Sequence, residues 1–131
     1  MRIVIQTIPH NEQRYDTAGD WQWEDEHLDN PVLKISVSET GNWKYNMLVA
    51  QHELHEALVC LVDRVDQKDV DDFDLSHAHL ADPGRDPDAP YHFPHMYADA
   101  LERQMALNLC VEWDEYEKTL DNLVWEPKNV Q

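Results

Sequence analysis

The apolar positions of this chain change period once. Over positions 2–8 (RIVIQTI), Ile3, Ile5 and Thr7 alternate with Val4, Gln6 and Ile8, and β-branched residues predominate, which predicts a strand. Pro9 closes it, and positions 10–20 are polar with Gly19, a loop. WQWEDEH at 21–27 opens with alternation and reads as a second strand. VLKISVS at 32–38 sets Leu33, Ile35 and Val37 against Val32, Lys34, Ser36 and Ser38, a strand with one polar face, and Gly41 ends it.

Beyond Gly41 the period becomes helical. From about 43 or 44 to 65, Met47, Leu54, Leu58, Leu61 and Val65 fall in one stripe at 100° per residue. Val49, Val59 and Cys60 lie on the other side, where His52, Glu53, Glu56 and Asp63 also project. A helix apolar almost all round is buried on more than one face, so His52 and Glu56 are bracketed by hydrophobic residues. The acidic run DQKDVDDFD at 66–74 predicts a short exposed helix with solvated charges. ADPGRDPDAPYHFP at 81–94 holds four prolines and a glycine and predicts an irregular loop. Pro94 suits the first position of a helix over 95–110 with Ala98, Leu101, Met105 and Leu109 as its core stripe. A last helix over 112–124 uses Trp113, Tyr116, Leu120 and Leu123, and the polar tail from 126 to 131 is expected to fray. The pattern therefore predicts one α+β domain over 1–131: a small N-terminal sheet of two or three strands packed on a central helix, followed by two C-terminal helices.

Composition narrows the function. The 131 residues suffice for one core without staples, and no apolar run is long enough to span a bilayer. The N-terminus is too polar after Ile8 for a secretory signal, so a cytoplasmic location and no membrane partner are expected. Cys60 and Cys110 lie inside expected helices with no CxxC partner, which predicts buried reduced thiols and excludes a cysteine-rich zinc site. A net charge of −17 argues against direct nucleic-acid binding, which needs Lys and Arg to displace counterions. Such a surface keeps the chain soluble, and it also fits a basic groove on a partner protein. With three glycines in all there is no phosphate loop, and no G-x-S-x-G elbow is present.

The chemistry concentrates in QHELHEALVC at 51–60. His52 and Glu56 are four apart, one turn above each other on one side of a helix, where an imidazole nitrogen and a carboxylate oxygen can hold one zinc ion. Glu53 follows the first ligand at the spacing of the general base in His-Glu-x-x-His enzymes and is the expected catalytic residue. A third ligand must come from elsewhere: His95, in the first turn of the next long helix, or His92 three residues earlier. A second arrangement pairs His52 and His55 with His92 and His95. With Glu53, Glu56, Asp99 and Glu102 they would form a dinuclear iron or manganese site, although the Glu-x-x-His signature of such sites is missing. A His–Glu pair one turn apart is also an ordinary helix hydrogen bond that needs no metal at all. Six of the eight histidines fall between His52 and His95. His77 and His79 read as surface residues, and Asp82, Asp86 and Asp88 as turn formers, since their spacing does not fit a calcium loop.

Two resemblances follow from these residues. Strands, a buried helix carrying His52 and Glu53, then a loop and a helix bringing a further ligand resemble the zincin metallopeptidase core, especially its gluzincin-like forms, over about 32–102. Glu56 stands where that family has its second histidine, which weakens the implication of peptidase activity and leaves metal-assisted hydrolysis of some other substrate. The segments RIVIQTIPHNEQRYDTAGDW, HELHEALVC and DPGRDPDAPYH together resemble a group of small uncharacterised proteins encoded in bacteriophage and prophage genomes. That likeness implies the cytoplasm of an infected bacterium. It also implies an alternative to a metal protein, a non-enzymatic acidic nucleic-acid mimic or inhibitor that binds a basic host defence protein.

Overall fold

The computed structural model describes residues 1–24 and 29–127. The expected strand positions 25–27 and the tail positions 128–131 lie outside them. Among the described residues three strands, β1 (Arg2–Ile8), β2 (Gly19–Glu24) and β3 (Val32–Ser38), precede four α-helices, α1 (Trp43–Val62), α2 (Gln67–Ser76), α3 (His92–Asn108) and α4 (Trp113–Asp121). The architecture is α+β, as the periods predict.

β3 is the middle strand, with β1 parallel on one side and β2 antiparallel on the other. Its odd positions Leu33, Ile35 and Val37 are fully buried, each worth ~1.5–3 kcal/mol relative to exposure. α1 lies across β2 and β3, and α3 packs along α1. Glu56 meets His95, His52 meets Glu102, and Lys44 Nζ donates to the Leu109 carbonyl, so the two helices run antiparallel.

α1 starts where the Asn42 side chain accepts the Lys44 N–H at 3.0 Å, a side-chain cap. It stops before the expected Val65 because Arg64 turns left-handed (φ 57°) and the Val65 N–H folds back to the Cys60 carbonyl at 2.9 Å. α3 ends the same way, with Cys110 at φ 56° and the Val111 N–H on the Ala106 carbonyl. It begins at His92 rather than His95, so Pro94 sits inside its first turn. The loop over 81–94 holds a short 3-10 turn, Pro83–Arg85, against α3.

Two core expectations change. On α1 the buried residues are Asn46, Leu48, Val49, Ala50, His52, Glu56, Ala57 and Cys60, whereas Leu61 is 54% exposed. The sheet covers one side of α1 and α3 the other, and the His52–Glu56 side falls between them. On α3 the buried side is His95, Ala98, Glu102 and Ala106, with Leu101 outside it. Cys60 is a buried free thiol as expected, but Cys110 is exposed, because the left-handed turn carries it out of the helix. Among the described residues no helix is long and apolar enough to cross a membrane.

Candidate metal centre

The interface of α1 and α3 is polar at its middle. His52 and Glu56 from α1 face His95, Asp99 and Glu102 from α3, and the 82–85 turn adds Asp82 from the open side. His52 Nε2, His95 Nδ1 and Glu56 Oε2 form a small triangle: 3.1 Å from His52 to Glu56, 2.9 Å from His95 to Glu56, and 3.2 Å between the two nitrogens.

Every atom behind that triangle has its own partner. The His52 Nδ1–H donates to Glu102 Oε1 at 2.7 Å, and the Tyr116 hydroxyl donates to the other oxygen of Glu102 at 2.7 Å. The His95 Nε2–H points to Asp82 Oδ1 at 3.0 Å, and Asp82 is paired with Arg85 Nε at 2.9 Å. Trp21 Nε1–H donates to Glu56 Oε1 at 3.0 Å. Asp99 flanks both rings, 3.4 Å from His52 Nδ1 and 3.6 Å from His95 Nε2. Its Oδ2 is buried without a hydrogen-bond partner. His52, His95 and Asp99 each offer a ligand atom within 4.8 Å of the others.

Two glycines make the packing possible. A Cβ on Gly84 would stand 2.4 Å from the His95 ring, so the backbone of the 82–85 turn lies directly on the imidazole. A Cβ on Gly19 would stand 2.6 Å from Cγ of Glu53, so Glu53 rests against β2.

The electrostatics follow from four carboxylates around two rings. Burial by itself lowers the His52 pKa, but hydrogen bonds to Glu102 and Glu56 outweigh it and hold His52 well above the ordinary value. His95 is pushed up to about 10, because its bonds to Asp82 and Glu56 overcome the same burial. Burial would raise Glu56, yet the two imidazole donors bring it down to about 2. Glu53 moves the other way, well above the ordinary carboxylate range, through burial and then the charge of Glu56. His52 Nε2 and His95 Nδ1 thus converge on one oxygen of Glu56 with the two nitrogens 3.2 Å apart.

Of the expected site residues, the structure brings His52, Glu56 and His95 together and sets Glu53 beside them on α1. His92 is elsewhere: its Nδ1–H donates to the Gly84 carbonyl at 3.0 Å, so it braces the turn that covers His95. His55 is half-buried to one side. Asp99 and Glu102, named in the dinuclear arrangement, belong to the cluster, but the His92 and His55 of that arrangement do not join it. Sequence reasoning missed Asp82, Trp21 and Tyr116. No family model, curated protein or solved structure matches the chain.

Proposed function

We propose that this domain binds one divalent transition-metal ion between α1 and α3, with His52 Nε2, His95 Nδ1 and Glu56 Oε2 as ligands, and acts as a metal-dependent hydrolase of zincin-like layout. The observation that carries the reading is the triangle of 2.9, 3.1 and 3.2 Å with every rear atom separately bonded. Ligands ~2.0–2.1 Å from a tetrahedral zinc ion stand about 3.3 Å apart, close to these edges. Metal-bound histidines habitually donate their far N–H to a carboxylate, and here Glu102 and Asp82 receive those protons. Asp99 Oδ2 has no hydrogen bond and only ion pairs at 3.6 Å to His95 Nε2 and Arg85 Nε, so it adds negative charge that a cation would offset further.

Two imidazoles and one carboxylate on a single face suit zinc, and they suit ferrous iron or manganese as well. A bound ion would supply Lewis acidity toward a substrate oxygen. Glu53, the residue after His52 on α1, is the group we assign to carry a proton, and its pKa is raised by burial and then by the charge of Glu56. Glu102 and Asp82 hold the ring orientation, and Trp21 fixes the carboxylate of Glu56.

Metal analysis of freshly purified protein, joined to zinc titration calorimetry, tests the reading. About one equivalent of ion is expected, lost in His52→Ala and weakened at least ~100-fold in Glu56→Gln. Less than about a tenth of an equivalent, with no rise in melting temperature on adding zinc, iron or manganese, retires it. The acidic-partner alternative would then stand on the net charge alone.

A further inference from the structure

Among the described residues β1 is the strand left least covered, with no buried position. It is an edge strand, and its register sets Ile3, Ile5 and Thr7 beside Leu33, Ile35 and Val37 of β3, on the same face of the sheet. The β3 residues are fully buried, but Ile3 and Ile5 are 42% and 45% exposed. α1 crosses β2 and β3, and no β1 residue joins the apolar core. The β2 edge is treated differently, since α2 reaches it through Gln67, whose side chain accepts the Trp23 N–H at 2.7 Å.

Proteins ordinarily protect a free edge with proline, lysine, a bulge or a very short strand. β1 has none of these: seven residues, RIVIQTI, in unbroken register with β3. Its charge is equally distinctive. The chain carries 27 acidic residues, yet the first is Glu12, so positions 1–11 hold Arg2 and His10 and no carboxylate. Two copies of a chain with net charge −17 repel over most of their surfaces. Along β1 they meet no carboxylate of the strand itself and gain an apolar contact through Ile3 and Ile5.

We propose that β1 is the contact between two copies of this chain, paired antiparallel about a two-fold axis at Val4, so that two three-stranded sheets become one of six strands. In this register Val4 faces its own counterpart, Ile3 faces the second copy's Ile5, and Arg2 faces Gln6. Odd positions pair with odd, so the four isoleucines form one apolar patch on the helix side of the joined sheet. The contact is self-complementary and closes at two copies rather than growing into a filament. It is independent of the metal reading.

Sedimentation velocity over a range of protein and salt concentrations tests this. A monomer–dimer equilibrium is expected, and it tightens as salt screens the repulsion between the two acidic copies. Ile5→Lys raises the dimer dissociation constant at least ~100-fold, because each dimer contains that residue twice. The melting temperature of dilute Ile5→Lys stays at the wild-type value, which separates lost pairing from lost folding. In a Cys110→Ser background, Val4→Cys forms an intermolecular disulfide under mild oxidation and Thr7→Cys does not. A chain that stays monomeric at high concentration and high salt overturns the proposal. So does a dimer that survives Ile5→Lys or that Val4→Cys fails to trap.

Discussion

Among the described residues the protein buries histidines in two places and treats them differently. His10, beside the end of β3, meets the Ser38 hydroxyl at 2.7 Å through Nδ1 and Asp16 at 2.9 Å through Nε2. Ser38 Oγ also accepts from Gln13 Nε2 at 3.1 Å. One ring proton satisfies this set: Nε2–H donates to Asp16, the serine O–H donates to Nδ1, and Gln13 supplies the remaining donor. The connectivity is that of a Ser-His-Asp relay, yet Ser38 is fully buried, so no substrate reaches it. Around His52 and His95 no such solution exists. Four ring nitrogens face Glu56, Asp82, Asp99 and Glu102, and with one proton per ring two nitrogen lone pairs would face carboxylate oxygens. A buried histidine is therefore not itself a sign of a ligand. The positive charge its surroundings demand is the sign, and in the α1–α3 site that demand exceeds what one proton per ring supplies.

The largest effect that separates the two regions is metal-dependent stability. Zinc at about a thousandfold above its dissociation constant stabilises the native state by ~4 kcal/mol. In a chain of this size that raises the melting temperature by on the order of 10 °C. His52→Ala abolishes the rise, whereas His10→Ala lowers the melting temperature with and without zinc and keeps the rise intact. Differential scanning calorimetry of the three proteins reads this directly. A His10→Ala protein that lost its response to zinc would join two regions held apart here.

Ser38→Ala should cost about 1–3 kcal/mol, since it strands a buried ring nitrogen of His10 and removes one of the acceptors of the Gln13 amide, which keeps the Ser36 carbonyl at 3.0 Å. The loss, read from urea unfolding, is the same in chelator and in zinc. A loss that vanished in zinc would mean the ion repairs this network too.

Much of the α1–α3 site is legible in the sequence, because it depends on helical phase. His52 and Glu56 are one turn apart, and of the hydrophobic residues expected beside them Val49 and Cys60 are buried and Val59 is half-buried. His95, Asp99 and Glu102 recur at i, i+4 and i+7, which places them on one side of α3. Of the expected α1 stripe, Met47, Leu54, Leu58 and Val65 pack partly buried against the core and Leu61 is exposed, because two covering layers pull the buried centre toward the polar residues. Asp82 was read as a turn former, and its reach to His95 depends on the 82–85 turn folding back, which Gly84 permits by lying on the ring. Trp21 and Tyr116 come from β2 and α4, and no spacing rule links either to QHELHEALVC. The order of strands and helices follows from period alone. The β1-β3-β2 order of the sheet does not, because parallel β1–β3 pairing is a long-range choice.

A smaller effect of opposite sign comes from Asp99. Burial holds its pKa above the ordinary value despite His95 and His52, so its charge is a net cost to the ion-free fold. Asp99→Asn should stabilise the chelated protein, since the variant no longer bears the cost of the buried charge. The same change should weaken zinc by about tenfold, since the ion loses a neighbouring negative charge. Chemical denaturation in chelator and calorimetric titration read the two halves. A variant less stable than wild type in chelator would mean that Asp99 chiefly balances the imidazolium rings, and the excess of negative charge would shrink accordingly.

Asp74 lies between the two cases and predicts the smallest effect. It is a partly buried carboxylate whose donors are hydroxyls: Tyr15 at 3.1 Å on one oxygen and Tyr91 on the other, tying α2 to the start of α3. Burial raises its pKa from 3.8 to about 6 against the pull of those two bonds. Between these values the folded chain binds a proton that the unfolded chain has released. Stability from this group is therefore present at low pH, declines as pH rises through that window, and is gone above it. Asp74→Asn cannot titrate, and the acceptor it loses gives an offset that does not change with pH. The stability of the variant relative to wild type should thus improve from about pH 4 to pH 7, by less than the bare shift implies because water reaches part of the carboxyl. Urea midpoints of both proteins across that range give the difference. A flat difference would mean Asp74 stays ionised throughout, held by its two tyrosines as firmly as Glu56 is held by its two histidines.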